Sequence, residues 1–521
     1  RDESMGRSHQ ITDATIQKME GFMQNPYSAE FPGIDVNQSG DGWAAADNAQ
    51  YANTDWFDYY FKDRAIRHSH NISIQGGSEK TSYYVGLGYI YQEGLMDKVQ
   101  DDLEKYNVNT KFSIRATDWL KFNFNNNVSL SLLKRPLANQ TIFYGTIANM
   151  SPSRVTKLPV EQAEYSTPTW NEQLYLQKAG YSQNRVSDAM SFSAIITPLE
   201  GLEFVGEMKA RLDVENNSFE LRKGNYALPN GSVMEVSGNK QGYHYPGMKW
   251  QNTQFGSLTR GSVFNYYLSP SVTGAYTRQW GDHFFKGMAG FQMELQENSS
   301  EYMYKDGMLS EDIYSFDNAN GTPYAAEARS HWATMGMFAR LNWNYRNIYF
   351  LEFSGRYDGS SRFAPDNRWG FFPSVSAAWR LSEESFMENT TDWLSNLKLR
   401  ASYGTTGNDL DLSKDPIDKI TAFSYLQKYN TGGTYVFGSN LANTIVAGDT
   451  PNPTLTWATS TTYNGGLDFG FFNNRLSGTL DVFYRKEVDI LGPRTVTLPS
   501  TYGQALAPEN YADGSWRGGE L

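Results

Sequence analysis

His68 and His70 form a His-x-His pair whose imidazoles share one face of an extended strand, where they could ligate a metal. No third ligand stands near them in the chain, so a strand-start pair without metal is the expectation. Asp35-Val-Asn37-Gln-Ser39-Gly40-Asp41 matches the first half of a calcium loop. Its twelfth position, however, is Ala46 in place of the bidentate Glu that such a loop needs. Asp35, Asn37, Ser39 and Asp41 are thus candidate ligands in what is expected to be an Asn/Gly-rich surface loop. Asp409, Asp411 and Asp415 form a similar acidic stretch. Glu203 and Glu207 are the residue types of a glycoside hydrolase pair. On a strand they would stand roughly 13 Å apart at ~3.3 Å per residue, too far for a retaining pair at ~5–5.5 Å. Glu203, Glu207 and Arg211, and Arg340 on another strand, are expected to line a hydrated wall, where they are candidate substrate-binding residues that would contact a substrate weakly. Trp170, Tyr175, Tyr243, Tyr245 and Trp250 fall between strands; they could stack on sugar rings or pack on one another. The chain has no Cys, which removes disulfides, thiolate zinc sites and cysteine nucleophiles together. No phosphate-binding loop and no His-Glu-x-x-His occurs. No catalytic site and no cofactor is expected.

The elements that must position these residues are strands. In 202–213, Leu202, Phe204, Gly206, Met208, Ala210 and Leu212 share one face, and Glu203, Glu207, Lys209, Arg211 and Asp213 the other. The same period of two runs through 285–295, 339–345, 375–381 and 397–403. It predicts about fourteen strands after residue 67, including 68–77, 80–92, 188–197, 201–213, 263–279, 284–296, 331–345, 347–357, 458–472 and 475–489. Many exceed the ~5–6 residues of an ordinary globular strand and suit the ~9–11 residues of a tilted membrane strand. Residues 1–67 differ: Asp13 and Thr54 are plausible N-caps for short helices at 14–23 and 55–62.

The connections alternate in length. Short ones fall at 77–79, 117–118, 198–200, 281–282, 346 and 473–474; Asn473-Asn474 suits a tight hairpin with positive φ. Long ones fall at 93–104, 134–187, 214–262, 297–330, 358–369 and 405–457, while 383–395 is of medium length where a short turn is expected. All short turns must then lie at one edge of the sheet and all long connections at the other. Outer-membrane barrels have this asymmetry, with short periplasmic turns and long extracellular loops. Tyr83, Tyr89, Tyr91, Trp119, Trp343, Tyr345, Tyr349, Trp379, Tyr463 and Tyr484 sit on apolar faces, as interfacial girdles require. Against 45 Lys and Arg stand 57 Asp and Glu, a net charge of −12 that disfavours a nucleic-acid partner. Aromatics at 15% exclude a disordered chain, and no apolar run reaches the ~20 residues of a membrane helix.

Several runs resemble a known family. They include His70-Asn-Ile-Ser-Ile-Gln-Gly-Gly-Ser-Glu-Lys-Thr81, Ser354-Gly-Arg-Tyr-Asp-Gly-Ser-Ser-Arg-Phe-Ala-Pro-Asp-Asn-Arg-Trp-Gly-Phe-Phe-Pro-Ser374 and Leu399-Arg-Ala-Ser-Tyr-Gly-Thr-Thr-Gly-Asn408. Two more are Asn452-Pro-Thr-Leu-Thr-Trp457 and Gly466-Leu-Asp-Phe-Gly-Phe-Phe-Asn-Asn-Arg-Leu-Ser-Gly478. From about residue 53 onward the chain resembles the SusC/RagA family of TonB-linked outer-membrane transporters of Bacteroidota. It departs from the family at Ala458, where a Glu is usual, and at Gly519, where an aromatic is usual.

The resemblance implies an all-β transmembrane antiparallel barrel of about 22 strands in the full protein. Residues 68–521 would supply its central strands, and 1–67 an extracellular loop region. The family's plug and several C-terminal strands are not recognisable here, so these strands alone are expected neither to close nor to transport. The implied function is TonB-dependent import of a large glycan or oligopeptide across the outer membrane. The implied partners are a SusD-like surface lipoprotein, TonB acting through the plug, and outer-membrane lipid. Two alternatives are a siderophore or cobalamin receptor, and a soluble β-rich glycan-binding or glycan-hydrolysing protein.

Overall fold

A backbone whose side chains alternate in polarity can satisfy both faces only as a two-sided sheet. The computed structural model describes residues 12–35, 50–97, 99–136, 147–148, 150–156, 178–227, 233–235, 239–240, 253–254, 256–310, 312–390, 392–411, 418–438, 440–492, 499–504 and 507–521. Fifteen strands form one sheet whose spatial order follows the chain, each antiparallel to the next. They are β1 (Arg67–Gly77), β2 (Thr81–Glu93), β3 (Asp102–Thr117), β4 (Leu120–Pro136) and β5 (Ala179–Leu199). Next come β6 (Leu202–Leu221), β7 (Ser257–Trp280), β8 (His283–Lys305), β9 (Tyr324–Tyr345) and β10 (Tyr349–Ser360). The last are β11 (Trp369–Arg380), β12 (Leu394–Asn408), β13 (Ala458–Phe471), β14 (Leu476–Gly492) and β15 (Glu509–Glu520).

Two features differ from the sequence-based expectation. The fifteenth strand, β15, exceeds the expected fourteen; it pairs with β14 from Asp481↔Glu520 to Gly492↔Glu509. Gly514, Gly518 and Gly519 blank out its alternation, and register shifts next to Asp489, at φ 59°, break that of β14. The strands also run further toward the long connections than the periodicity indicates. β5 begins at Ala179, β6 ends at Leu221, β7 begins at Ser257, β8 ends at Lys305 and β9 begins at Tyr324. Both faces of these extensions are largely polar, so backbone pairing continues where alternation fades.

The short connections sit together at one edge. Asn473 and Asn474 take φ 58° as the hairpin requires, and Arg346 and Asn347 do likewise in a turn longer than the single residue expected. Gly201, at φ 82°, has no room for a Cβ, which would meet the Thr277 carbonyl at 2.1 Å. The medium connection between β11 and β12 holds two 3₁₀ turns, Leu381–Glu383 and Ser385–Thr390.

Before the sheet lie α1 (Asp13–Gln24) and α2 (Trp56–Tyr60). Their N-caps are Thr12 and Asp55, each one residue from the expected Asp13 and Thr54: Thr12 Oγ1 accepts from Thr15 N–H, and Asp55 from Phe57 and Asp58. Both helices pack against connections at the long-loop edge. Phe22, Ile34, Tyr51 and Ala52 bury against Val155. Trp56 and Tyr60 bury against Ile147 and Met150. Trp56 Nε1–H donates to Ser151 O at 2.8 Å.

The sheet's apolar face is exposed. Met337 is 60% exposed, Phe371 64% and Val272 58%. On β8 this face runs Phe285, Gly287, Ala289, Phe291, Met293, Leu295 and then changes to Glu297, Ser299 and Glu301. On β9 it changes between Ala333 and His331, and on β6 between Val214 and Asn216. From Phe285 to Leu295 the strand rises ~33 Å at ~3.3 Å per residue, or about 25 Å of height at a ~40° tilt, the apolar band of a membrane barrel. Aromatic belts bound it. At the short-turn edge His283 stacks on Trp343, Tyr345 on Tyr349, Tyr349 on Trp379, and Trp393 on Phe471. Further up, Tyr357 stacks on Trp369 and Tyr403, Tyr463 and Tyr484 stand side by side. A soluble protein has no use for a continuous exposed apolar surface of this extent, and the soluble alternative fails on it.

Candidate transport lumen

The same period that exposes the apolar residues turns every second residue of β5–β14 to the opposite, polar face. On β6 this face carries Glu203, Glu207, Lys209, Arg211 and Asp213. Lys209 Nζ lies 2.9 Å from Glu207, and Arg211 Nε 2.8 Å from Asp213, which also meets Arg185 of β5 at 3.4 Å. On β9, Arg340 pairs with Glu352 of β10 at 2.6 Å, and Asn342 Nδ2 donates to the same carboxylate. On β12, Arg400 meets Asp468 of β13 at 2.9 Å and Asp481 of β14 at 3.0 Å. Pairs this exposed contribute only ~0–1 kcal/mol each. Their effect is to hold charges at fixed places along a hydrated wall.

The structure brings together only some of the candidates. Glu203, Glu207 and Arg211 lie on one strand, and Glu207 and Arg211 each have an ion-pair partner there. Arg340 belongs to a separate patch, since β7 and β8 intervene and three strand spacings of ~4.8 Å amount to roughly 14 Å. Glu203 and Glu207 face Ala275 and Ser271 across the ladder and are not juxtaposed as an acid–nucleophile pair. Trp170, Tyr243, Trp250, Asn37, Ser39 and Asp41 lie outside the described residues. Asp35 is paired with Lys18 Nζ at 2.5 Å. His68 and His70 sit on the outward, apolar face, where His68 stacks on Tyr91 and His70 on Tyr89. Asp409 is buried and paired with buried Arg362.

Two assemblies lay beyond the sequence reading. One is the Arg400–Asp468–Asp481 bridge across three strands, detectable in principle because Arg400 interrupts Leu397-x-Leu399-x-Ala401 on the polar phase. The other ties the long connections together. Asn367 Nδ2 donates to Pro453 O, Trp457 Nε1 to Arg368 O and Asn452 Nδ2 to Pro508 O. Phe363, Ile420, Leu455 and Leu491 bury one another beneath Trp457. The runs Ser354–Ser374 and Asn452–Trp457, far apart in sequence, meet here at the long-loop edge.

Residues 21–521 match the family model described as TonB dependent receptor-like, beta-barrel. The TonB-dependent receptor SusC of Bacteroides thetaiotaomicron is 30% identical over 499 residues, 88% of this chain and 45% of SusC. The TonB-dependent receptor P26 of Formosa agariphila is 29% identical, covering 88% of this chain and 43% of that protein. The chain thus spans less than half the length of these curated relatives. Among solved structures, the RagAB peptide transporter superposes with a TM-score of 0.69 at 20% identity, covering 98% of this chain and 53% of the matched one. That likeness is one of fold: an antiparallel barrel wall with long loops at one edge.

Proposed function

The chain belongs to the TonB dependent receptor-like β-barrel family, and from that premise we propose that it walls an import channel for an oligomeric nutrient, a glycan or an oligopeptide. Proteins of this family are transporters of the outer membrane. The observation that carries the proposal is the division of the sheet into an apolar, girdled outer face and a charged, hydrated inner face. The relation to SusC supports a nutrient oligomer as cargo. A wall of ion-paired residues binds such cargo weakly and lets it leave, and no covalent chemistry is involved.

In this reading a plug closes the lumen and TonB moves it at the expense of the inner-membrane proton gradient. A SusD-like surface lipoprotein caps the long-loop edge, where α1, α2 and the tied connections form the extracellular surface. The test is uptake by cells with and without the full-length receptor, in tonB-positive and tonB-negative backgrounds, using labelled malto-oligosaccharides, oligopeptides and a ferric siderophore. Receptor- and TonB-dependent uptake of an oligomer is expected. Uptake of the siderophore alone would replace this reading with the siderophore alternative.

A further inference from the structure

The inner face of β8–β13 carries a second arrangement, distinct from the β6 ladder. Cross-strand register runs Lys286↔Asn342↔Glu352↔Ser376↔Ser402↔Asn464 through six neighbouring strands. The adjoining row runs Phe284↔Asn344↔Phe350↔Ala378↔Arg400. Ser376, Ala378 and Ser402 are small, while the residues around them are long, so the wall is recessed there. The recess has a volume of about 670 Å³, within the ~300–1,000 Å³ of small-ligand sites.

Its rim is cationic. Lys286, Arg340, Lys398 and Arg400 line it, and Arg380 pairs with Lys398 across the ladder. Glu352 neutralises Arg340, and Asp468 and Asp481 together neutralise Arg400. Among the described residues no carboxylate lies within ion-pair distance of Lys286, Arg380 or Lys398. Asp468 stands opposite Lys398 on the ladder but is turned to Arg400. Arg380 and Lys398 instead stand over the ring of Phe350, at 5.6 and 5.1 Å from its centroid. Lys286 and Lys398 in the recess, and Arg380 beside it, thus have no carboxylate partner among the described residues, which is out of character for a chain of net charge −12.

We propose that this recess binds acidic sugar units, uronate or sulfate ester, of an anionic oligosaccharide passing along the lumen; this rests on the import reading above. Lys286 and Lys398, with Arg380 next to Lys398 at the edge of the recess, pair with the acid groups. The amides and hydroxyls of Asn342, Ser376, Ser402 and Asn464 suit a ring bearing hydroxyls, and Phe284 offers an apolar edge. These cations are specificity-determining residues: they favour an acidic oligomer over a neutral one of the same length.

The test uses the full-length receptor in detergent, titrated calorimetrically with oligogalacturonate, a sulfated oligosaccharide of equal length, and maltohexaose. Binding of one or both acidic probes, weakening with salt, is expected to exceed that of maltohexaose. The triple variant K286Q/R380Q/K398Q should lose about tenfold in affinity for the acidic probe, with maltohexaose unchanged. K286R/R380K/K398R should retain it, which separates charge from folding. Equal affinity for acidic and neutral probes overturns the proposal. So does a triple variant that binds the acid normally but conducts ions more freely in a planar bilayer, because the cations would then be holding the plug. Cellular uptake of neutral oligomers with no acid preference would defeat this inference alone, whereas loss of all TonB-dependent uptake would defeat the import reading.

Discussion

Leu341 and Gln292 lie on neighbouring strands but face opposite solvents, and a charge distinguishes them. Leu341→Arg places a guanidinium in lipid and should cost about 2–4 kcal/mol near the midplane. Gln292→Arg adds the same side chain to the hydrated wall and should be nearly neutral. Urea unfolding of the full-length receptor in vesicles measures both, and equal losses would mean the polar face is not a wet lumen. Glu384 supplies a pH-dependent counterpart on the short-turn side, outside the spanning strands. The hydroxyl of Tyr349 and the indole N–H of Trp379 both donate to it, and they hold its pKa below the ordinary carboxylate value. Because the folded pKa is depressed, the stabilisation is fully present above the unfolded value and is lost as pH falls through the lowered one. Acid titration should therefore perturb Trp379 fluorescence only below the usual carboxylate range, and Glu384→Gln should abolish that change. The facing of Leu341, Arg340, Glu203 and Glu207 was legible from a period of two. Their ion-pair partners were not, since register between distant segments is set by pairing, which one sequence does not print.

At the scale of elements, strands were readable where one face met lipid and unreadable where both faces met water. That is why β5 through β9 extend beyond the predicted ends, and why glycine-rich β15 went uncounted. The tie between the long connections was invisible for a related reason. Asn367, Asn452 and Trp457 donate to the carbonyls of Pro453, Pro508 and Arg368, and side-chain-to-backbone bonds in loops leave no periodic trace. Their family-like sequence marked these blocks as important without saying that they touch. Phe363, fully buried in this tie, gives the test. Phe363→Ala should destabilise the loop layer by about 3–5 kcal/mol, as for other buried aromatics, while leaving the sheet intact. Limited proteolysis should then cleave within 409–457 faster, with the folded barrel's heat-modifiable electrophoretic mobility unchanged. Slower migration of the unheated variant would show instead that the tie supports the strands themselves.

For the molecule as a whole, the consequence of the strict alternation of connections is sidedness. β1 descends from Arg67 to the turn at 78–80, every even-numbered strand returns, and so each short turn shares one edge with the medium connection at 381–393. That edge carries the Trp343–Tyr349–Trp379 belt, while the opposite edge carries α1, α2 and the tied loops. Two orientations in the membrane satisfy the apolar band equally, because its height is the same from either side. What separates them is translocation: short turns stay on the periplasmic side while long loops are exported with the closing barrel. The full-length receptor, which has no Cys in this portion, can be given single cysteines at Asp282 and Asn473 in the short turns, and at Ser310 and Ser424 in the long connections. A membrane-impermeant thiol reagent applied to whole cells should label Ser310→Cys and Ser424→Cys only. After permeabilisation all four should react. Labelling of Asp282→Cys and Asn473→Cys in intact cells, with the other two protected, would invert the molecule and place the tied loops in the periplasm, where no surface lipoprotein could reach them.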